Sequence, residues 1–354
     1  MPTVGAVVVN YNGGDRILRC LEALRGQTAP LAEIVVVDNG STDGSLERVR
    51  ARHPGVRVLP LGENRGLPAA RNAGLGELRT DLAFSVDSDV YPAPDCLALL
   101  LEAWRQDQPA VVCPRIVLLP GRDLIQCDGA SLYFLGTLAL RHAYQPASGV
   151  PPEGRFVGGC IGACLLLRRD LILEAGGFNE LFFFYFEDLE LSLKLRARGH
   201  RLFCEPRAIA YHDPGSGTPG LSYRGTGAYP ARRAYLSMRH RWLAMLIHYR
   251  IRTLMILGPA LGLYELGTLG FAVRRGWLGA WARAWIWLIG HQREIRSHRR
   301  VAQASRTTSD RELLEAGPIP VAPGLLGSAW SRRAAGLFSR LFQGYWTVVR
   351  RLVR

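Results

Sequence analysis

Lysine is almost absent: 44 side chains are Lys or Arg, and Lys194 is the single lysine. A bias of this kind can follow from genome composition alone and carries no functional weight. Among the seven cysteines no CxxC pair occurs; Cys160 and Cys164 are spaced CxxxC inside an apolar run. An odd count without paired spacing argues against structural zinc and against a disulfide framework. Buried, reduced thiols of a cytosolic protein are the expectation. The opening MPTVGAVVVNYNGG has no basic n-region and no long apolar core, so a strand is expected there rather than a signal peptide. No internal repeat is visible. Acidic residues are scarce in one region only. Residues 224–354 hold 22 Arg and 5 acids, a charge of +17, whereas the first 223 residues hold 22 basic and 25 acidic groups, −3; the sum is the chain's +14. Such asymmetry points to a polyanion or an anionic membrane as partner of the C-terminal third. With 48% hydrophobic and 21% charged residues, global disorder is excluded. The 354 residues suffice for one large domain or a domain with an appendage.

What is present is an alternation of short apolar runs and helical patterns. The run at 4–9 ends in Asn10-Tyr11-Asn12-Gly13-Gly14 and is followed by Ile17, Leu18, Leu21 and Leu24 at helical spacing. The run at 34–37 stops at Asp38-Asn39-Gly40-Ser41, and after another helix a run at 56–61 meets Glu63-Asn64-Arg65-Gly66. A helix over 68–78 leads to a run at 82–86 that ends at Asp87-Ser88-Asp89. This order predicts an α/β fold whose sheet, parallel in this part, is covered on both faces. Ligands of such sheets bind at the carboxyl ends of strands, so these polar residues should converge on one edge. From about 111 to 210 the pattern is less regular, punctuated by Gly158-Gly159 and Gly176-Gly177, with a helix over 187–198. Beyond Tyr223 the character changes: 253–273 carries one charge, Glu265, and is interrupted by Gly258-Pro259 and further glycines; 277–289 is Trp-rich and short; 318–324 reads as a linker; 330–354 is helical.

Several constellations can carry chemistry. Two carboxylates two residues apart past a buried strand, Asp87 and Asp89, can together hold a hard divalent ion that is shared with substrate phosphates. Asp38 can accept from a base N–H or a ribose hydroxyl, or else serve as a helix N-cap or in an Asx turn, a role that Ser41 or Asp43 could fill instead. Tyr11 can stack on a base or pack at a strand end. Arg71, near Asn64, Gly66 and Asn72 on the same edge, can meet phosphate bidentately or pair with a local acid. Five aromatics, residues 182–186, precede Glu187-Asp188 at an expected helix start, where the helix dipole already favours acids; an aromatic wall also suits a general base whose pKa burial raises. Glu190 reads as structural. His212 can be a packed side chain or a neutral-imidazole ligand for an ion such as Mn²⁺.

Taken in order, VVVNYNGG, VVVDNGSTDGS, ENRGLPAARNAG, VDSDV, GGFNELFFFYFEDLELSLKLRARG and YHDPGSG resemble the inverting glycosyltransferases of family 2, over about residues 3–220. The set is most similar to bacterial rhamnosyltransferase-like enzymes of cell-surface polysaccharide synthesis. The resemblance implies a GT-A nucleotide-diphospho-sugar transferase fold, Rossmann-like with a mixed sheet, over a catalytic domain at 1–222. It also implies a nucleotide-diphosphate donor, dTDP-rhamnose or a UDP-sugar among the candidates, a glycan or lipid-linked acceptor, and Mn²⁺ or Mg²⁺ as cofactor. By position, Tyr11 and Asp38 would hold the nucleoside, Arg71 and Asn72 would border the donor site, and Asp87 and Asp89 would form the metal motif with His212 as a further ligand. Asp87 would thus serve both donor and metal, and Asp188 would be the catalytic base. Two departures from the family's common pattern occur: Phe178-Asn179-Glu180 stands where FDE is frequent, and Glu187-Asp188-Leu189-Glu190-Leu191 where EDxDL is frequent. A non-catalytic sugar-nucleotide scaffold on the same fold is the alternative, but such a protein is expected to lose the DxD or the acidic pair.

The remainder divides into 223–300, a helical, apolar and Trp-rich membrane-associating region, and 301–354, a linker followed by a basic amphipathic helix. Trp277, Trp281, Trp285 and Trp287 suit headgroup depth. Leu337, Phe338, Leu341, Phe342, Tyr345, Val348, Val349 and Leu352 recur at helical spacing beside Arg332, Arg333, Arg340, Arg350, Arg351 and Arg354, a pattern for anionic lipid. Attachment to the cytoplasmic face of the membrane is therefore expected, through a peripheral or re-entrant segment. Packing as a soluble helical subdomain or against a second copy is the other arrangement. A nucleic-acid partner is not expected, because Trp-rich apolar segments accompany the basic tail.

Overall fold

All seven residues of the first strand, β1 (Val4–Asn10), are buried, as a run without polar alternation requires. They are seen in a computed structural model of the chain that describes residues 2–121, 123–214, 230–319 and 329–353, with 329–332 described by backbone alone. Outside the described residues lie the boundary expected at 222/223, Tyr223, Gly215-Ser216-Gly217 of YHDPGSG, most of the linker at 318–324, the side chain of Arg332, and Arg354.

Alternate residues of β1 feed two cores. Val4, Ala6 and Val8 join a cluster with Ile17, Leu18, Leu21 and Leu24 of helix Arg16–Arg25 and with Leu97 and Leu100 of helix Cys96–Asp107. Val7 and Val9 face Ala70 and Leu75 of helix Leu67–Glu77 and Leu191 and Leu195 of helix Glu187–Ala197. The sheet is thus covered on both faces. Strands β2 (Glu33–Asp38), β3 (Arg57–Pro60) and β4 (Leu82–Asp87) run parallel to β1 in the order β4-β1-β2-β3. Next along the chain come β5 (Val90–Pro92), β6 (Val111–Leu118), β7 (Ile125–Cys127), the ribbon β8 (Ala130–Tyr133) and β9 (Thr137–Leu140), then β10 (Arg155–Val157), β11 (Cys164–Arg168) and β12 (Leu202–His212). β11 lies antiparallel between β4 and β6, so the complete sheet is mixed. Asn10 pairs with Asp38, and Val9 with Asp87: the polar strand ends meet on one edge, as the parallel alternation predicted. All seven cysteines are buried and free.

The chain forms two compact units, the first of Met1–Ala130, Leu140–Leu195 and His200–Pro214, the second of Ser131–Ala139, Arg196–Gly199 and Gly215–Arg354. The second is helical: Ala231–His248, Ile251–Arg275, Leu278–Gly290, Gln292–Ala304, Asp310–Leu313 and Ala329–Val349. Within it, Phe342 and Trp346 of the last helix pack on Phe134. The end of helix Ala231–His248 is closed by side chains from further along the chain. Arg299 donates to the carbonyls of Leu246 and Tyr249, and Gln303 to those of Ile247 and His248. Arg306 also donates to the His248 carbonyl, at 2.8 Å, so the last carbonyls of the helix, which have no partner within it, are met by side chains.

Indole N–H groups of the tryptophan-rich segment find partners within the helical unit. The indole N–H groups of Trp281 and Trp285 do not face outward but donate to Glu265 Oε1, at 2.8 and 3.3 Å. Trp242 donates to Glu265 Oε2 at 2.9 Å, and Arg241 pairs with the same oxygen. Trp277 is buried against Phe271. A carboxylate in an apolar helix that is partly withdrawn from water, as Glu265 is with a 14% exposed side chain, is stabilised by collecting donors, and here the nearby indoles supply them.

Candidate functional site

Three loops at the strand ends are laced together by side-chain amides and hydroxyls. Asn10 is fully buried, and its amide donates to Asp38 Oδ1 at 2.9 Å with the Ser41 and Ser45 hydroxyls also in reach. Asp38 Oδ2 accepts from the Ser41 N–H at 3.1 Å, three residues on, which ties down the turn after β2. Asp43 accepts from the Ser45 N–H at 3.0 Å, an Asx turn just ahead of helix Ser45–Arg52, whose N-cap is Gly44 without a side-chain cap. Asn12 takes φ +52, a left-handed conformation that Asn tolerates, and its side-chain oxygen accepts from the Thr42 N–H at 2.8 Å. Tyr11 sits in this loop with 37% of its surface exposed. The second loop is tied to the third through Asn39, whose oxygen accepts from the Arg65 N–H and whose amide donates to Asn64.

Arg71 joins the two acidic motifs. It is only 1% exposed; its Nη2 donates to Asp87 Oδ1 at 2.7 Å and to the Gly162 carbonyl at 2.8 Å, and its Nη1 to Glu187 Oε1 at 3.1 Å. Of the two roles open to Arg71 in the sequence, pairing with local acids is the one its contacts fill. Burying a guanidinium costs several kcal/mol unless it is paired and hydrogen-bonded, and two carboxylates with a carbonyl meet that condition. Burial pushes the Glu187 carboxyl up to about 7, with Asp188 adding to the rise and Arg71 opposing it.

Asp188 differs from its neighbour. Glu187 is buried, whereas Asp188 is partly exposed. Asp188 Oδ1 accepts from the Leu189 N–H at 2.8 Å and Oδ2 from the Gly162 N–H at 3.4 Å. Burial raises its pKa, and these N–H groups with Arg71 oppose the rise. The segment before it is strained: Tyr185 and Phe186 take φ +67 and +68, which costs on the order of 1–3 kcal/mol per residue. It is anchored by Phe183, whose carbonyl accepts from the Leu67 N–H at 2.8 Å. That approach requires Gly66, at φ +90, because any Cβ there would lie 2.7 Å from the Phe183 carbonyl oxygen. The helix that carries Arg71 and the helix start that carries Asp188 are therefore joined at their N-termini.

The third group is Asp89, His212 and Gln126. His212 Nε2 lies 3.5 Å from Asp89 Oδ2, and His212 Nδ1 lies 2.6 Å from Gln126 Oε1. For Asp87 burial wins over Arg71, and its pKa is raised. Among the described residues no set of three or more His, Cys, Asp or Glu side chains could alone hold a metal. Asp89 and His212 nevertheless fit as a pair. Ligands at about 2.1 Å from one octahedral ion stand roughly 3 Å apart, and ions of the Mg²⁺ class take their remaining ligands from substrate phosphates and water.

Asn72 falls outside these groups. Its amide donates to the Phe178 carbonyl at 2.8 Å and to Glu180 at 3.1 Å, and its oxygen accepts from the Phe178 N–H. Glu190 pairs with Lys194 at 3.1 Å along the helix. Sequence reasoning missed Asn10, although it ends the VVVN run, and missed Gln126, whose neighbourhood carries no motif.

The glycosyl transferase family 2 profile matches residues 6–173, which ends before Glu187-Asp188 and His212. The N-acetylglucosaminyl-diphospho-decaprenol L-rhamnosyltransferase of Mycobacterium tuberculosis is 32% identical over 232 residues, 58% of this chain and 74% of that protein. This chain belongs to glycosyl transferase family 2. Like its relatives, this family 2 glycosyltransferase is read as a sugar-transferring enzyme rather than a binding scaffold. The succinoglycan biosynthesis protein ExoO of Rhizobium meliloti is 39% identical to it over 145 residues, covering 40% of this chain and 41% of ExoO. Two crystal structures share the GT-A fold with this glycosyltransferase at 17% identity each. GalNAc-T7 with UDP, GalNAc and Mn²⁺ has a TM-score of 0.58 over 72% of this chain and 49% of its own. Staphylococcus aureus TarS 1-349 with UDP has a TM-score of 0.50 over 91% and 95%.

Proposed function

We propose that the enzyme transfers a hexose, with inversion, from a nucleotide-diphosphate donor to a hydroxyl of a glycan or lipid-linked acceptor in cell-surface polysaccharide synthesis. Rhamnose is the first donor sugar to test, because the relative from M. tuberculosis is named for it. The observation that carries this reading is the Arg71 bridge: it sets the donor-side acid Asp87 and the acid pair Glu187-Asp188 in one network, and of that pair Asp188 is the accessible one. Asp188 takes the proton of the acceptor hydroxyl as its oxygen bonds to the anomeric carbon. The bond from that carbon to the diphosphate oxygen breaks on the opposite face, and the nucleoside diphosphate leaves. Tyr11 stacks on the base, and Asp38, oriented by Asn10, accepts from the nucleoside. Arg71 keeps Asp87 in place, and Asn72 shapes the border of the site through residues 177–180. Asp89 and His212, with Asp87 beside them, would hold Mn²⁺ or Mg²⁺, which when bound supplies charge stabilisation on the diphosphate. A panel of nucleotide sugars followed by mass spectrometry tests the reading: release of a nucleoside diphosphate from one donor, faster with acceptor present, is expected. Release from none of the panel would refute it.

The helical unit serves attachment to the membrane surface on the cytoplasmic side. Helix Ile251–Arg275 is long and apolar enough to cross a bilayer by length and composition, with 22% of its most apolar window buried. Glu265 in its middle, however, is held by Arg241 and Trp242 of helix Ala231–His248, a helix rich in arginine. Crossing would draw those charges into hydrocarbon, so the helix lies in the interface. Ile251, Met255, Leu266 and Val273 on this helix, Ile286 and Ile289 on the next, and Leu337, Leu341 and Val348 on the last are all exposed. Full-length protein is expected to sediment with vesicles containing anionic lipid. Changing Leu337, Leu341 and Val348 together to Asp should weaken that binding at least about tenfold, since each buried aliphatic side chain contributes roughly 1.5–3 kcal/mol. Wild-type protein that stays in the supernatant would refute the attachment and leave the transferase reading intact.

A further inference from the structure

We infer that Gln126 is a positioning residue that sets the tautomer of His212 and so holds its Nε2 open toward the cation site beside Asp89. The inference rests on the proposed pairing of Asp89 and His212 as metal ligands. Gln126 lies at an irregularity of the ladder: Ile116 pairs with Cys127 and Val117 with Ile125, leaving Gln126 as the extra residue on β7. A bulge of this kind re-aims a side chain and is common beside active sites. Here the re-aimed side chain ends with Oε1 2.6 Å from His212 Nδ1. A carboxamide oxygen only accepts, so Nδ1 must carry the proton, and in the neutral ring Nε2 then has a free lone pair. Nε2 is the atom 3.5 Å from Asp89 Oδ2.

The rest of His212 has little freedom. Its backbone pairs with Val90 of β5 on one side and Leu118 of β6 on the other, and its side chain is 14% exposed. What the strands leave undecided is which ring nitrogen holds the proton. With the proton on Nε2, the imidazole would donate to Asp89 and close the pair against a cation. With the proton on Nδ1, both Nε2 and Asp89 present lone pairs to the same space. Gln126 selects the second arrangement, as hydrogen-bond acceptors behind metal-binding imidazoles do.

Two measurements on the full-length chain decide the matter. Long-range ¹H–¹⁵N spectra of the metal-free protein at alkaline pH should show His212 protonated at Nδ1, and Gln126→Leu should shift the proton toward Nε2. Mn²⁺ titrated in the presence of inorganic pyrophosphate should bind Gln126→Leu about 10- to 100-fold more weakly than wild type, the usual effect of losing such a partner. Gln126→Glu, which keeps an acceptor, should retain the Nδ1–H tautomer and bind Mn²⁺ at least as well as wild type. Thermal unfolding of each variant checks that the fold persists; if the leucine variant fails to fold, the wild-type spectrum and the glutamate variant still decide. An Nε2–H tautomer in the wild type overturns the inference even where Mn²⁺ binds, and so does unchanged Mn²⁺ affinity in Gln126→Leu. A wild-type Nδ1–H tautomer with no Mn²⁺ binding instead overturns the metal reading, and the purpose assigned to Gln126 with it.

Discussion

Asp188→Asn is expected to lower turnover by at least about 10²-fold, the low end for general-base catalysis, while donor affinity stays near that of the wild type. Asparagine can keep the oxygen that accepts from the Leu189 N–H, so the helix start should survive; it cannot take a proton from the acceptor. Glu187→Gln is the control. Glu187 is buried and committed to Arg71, so its loss should act on the position of Arg71 and be milder in turnover. If Glu187→Gln is the more damaging change, the base is Glu187. The acid limb of the kcat/KM profile sharpens the comparison. Burial raises both carboxyls, Glu187 to about 7, and a base works only when ionised. Activity should therefore rise with pH later than an ordinary carboxylate would allow, as a titration of the pair. Lost donor affinity with normal turnover in Asp188→Asn would move the residue from catalysis to binding.

Removing divalent metal is expected to abolish transfer. Several kcal/mol of charge stabilisation on the diphosphate would be lost, which corresponds to at least about 10²-fold in rate. Activity should return on adding Mn²⁺ or Mg²⁺ above the chelator. The protein side of the site is thin: one oxygen of Asp87 is taken by Arg71, and only Asp89 and His212 face one another. Metal affinity should therefore depend on the donor diphosphate, and His212→Ala should demand more metal for half-maximal rate. Undiminished transfer in excess chelator would contradict the assignment.

By itself the sequence determined the sheet and its ligand edge. Runs such as VVVN, VVVD and FSVD are too short and too evenly apolar for anything but buried strands between helices, and each ends in a polar residue. Parallel register then brings Asn10, Asp38 and Asp87 together without further information. The sequence also marked Glu187-Asp188 as one acidic unit at a helix start. It left undecided which of the two carboxylates is free and what Arg71 meets. Those are matters of burial and distance between residues far apart in the chain: helix Leu67–Glu77 carries Arg71 beneath both acidic motifs, and no local pattern encodes that approach. Gln126 was illegible for the same reason, since its position depends on a bulge that appears only when β7 pairs with β6. Glu265, a lone charge that seemed only to spoil an apolar helix, gathers Arg241, Trp242, Trp281 and Trp285 once the helices pack. A carboxylate partly withdrawn from water takes its donors wherever packing brings them, and only the tertiary structure decides which ones those are.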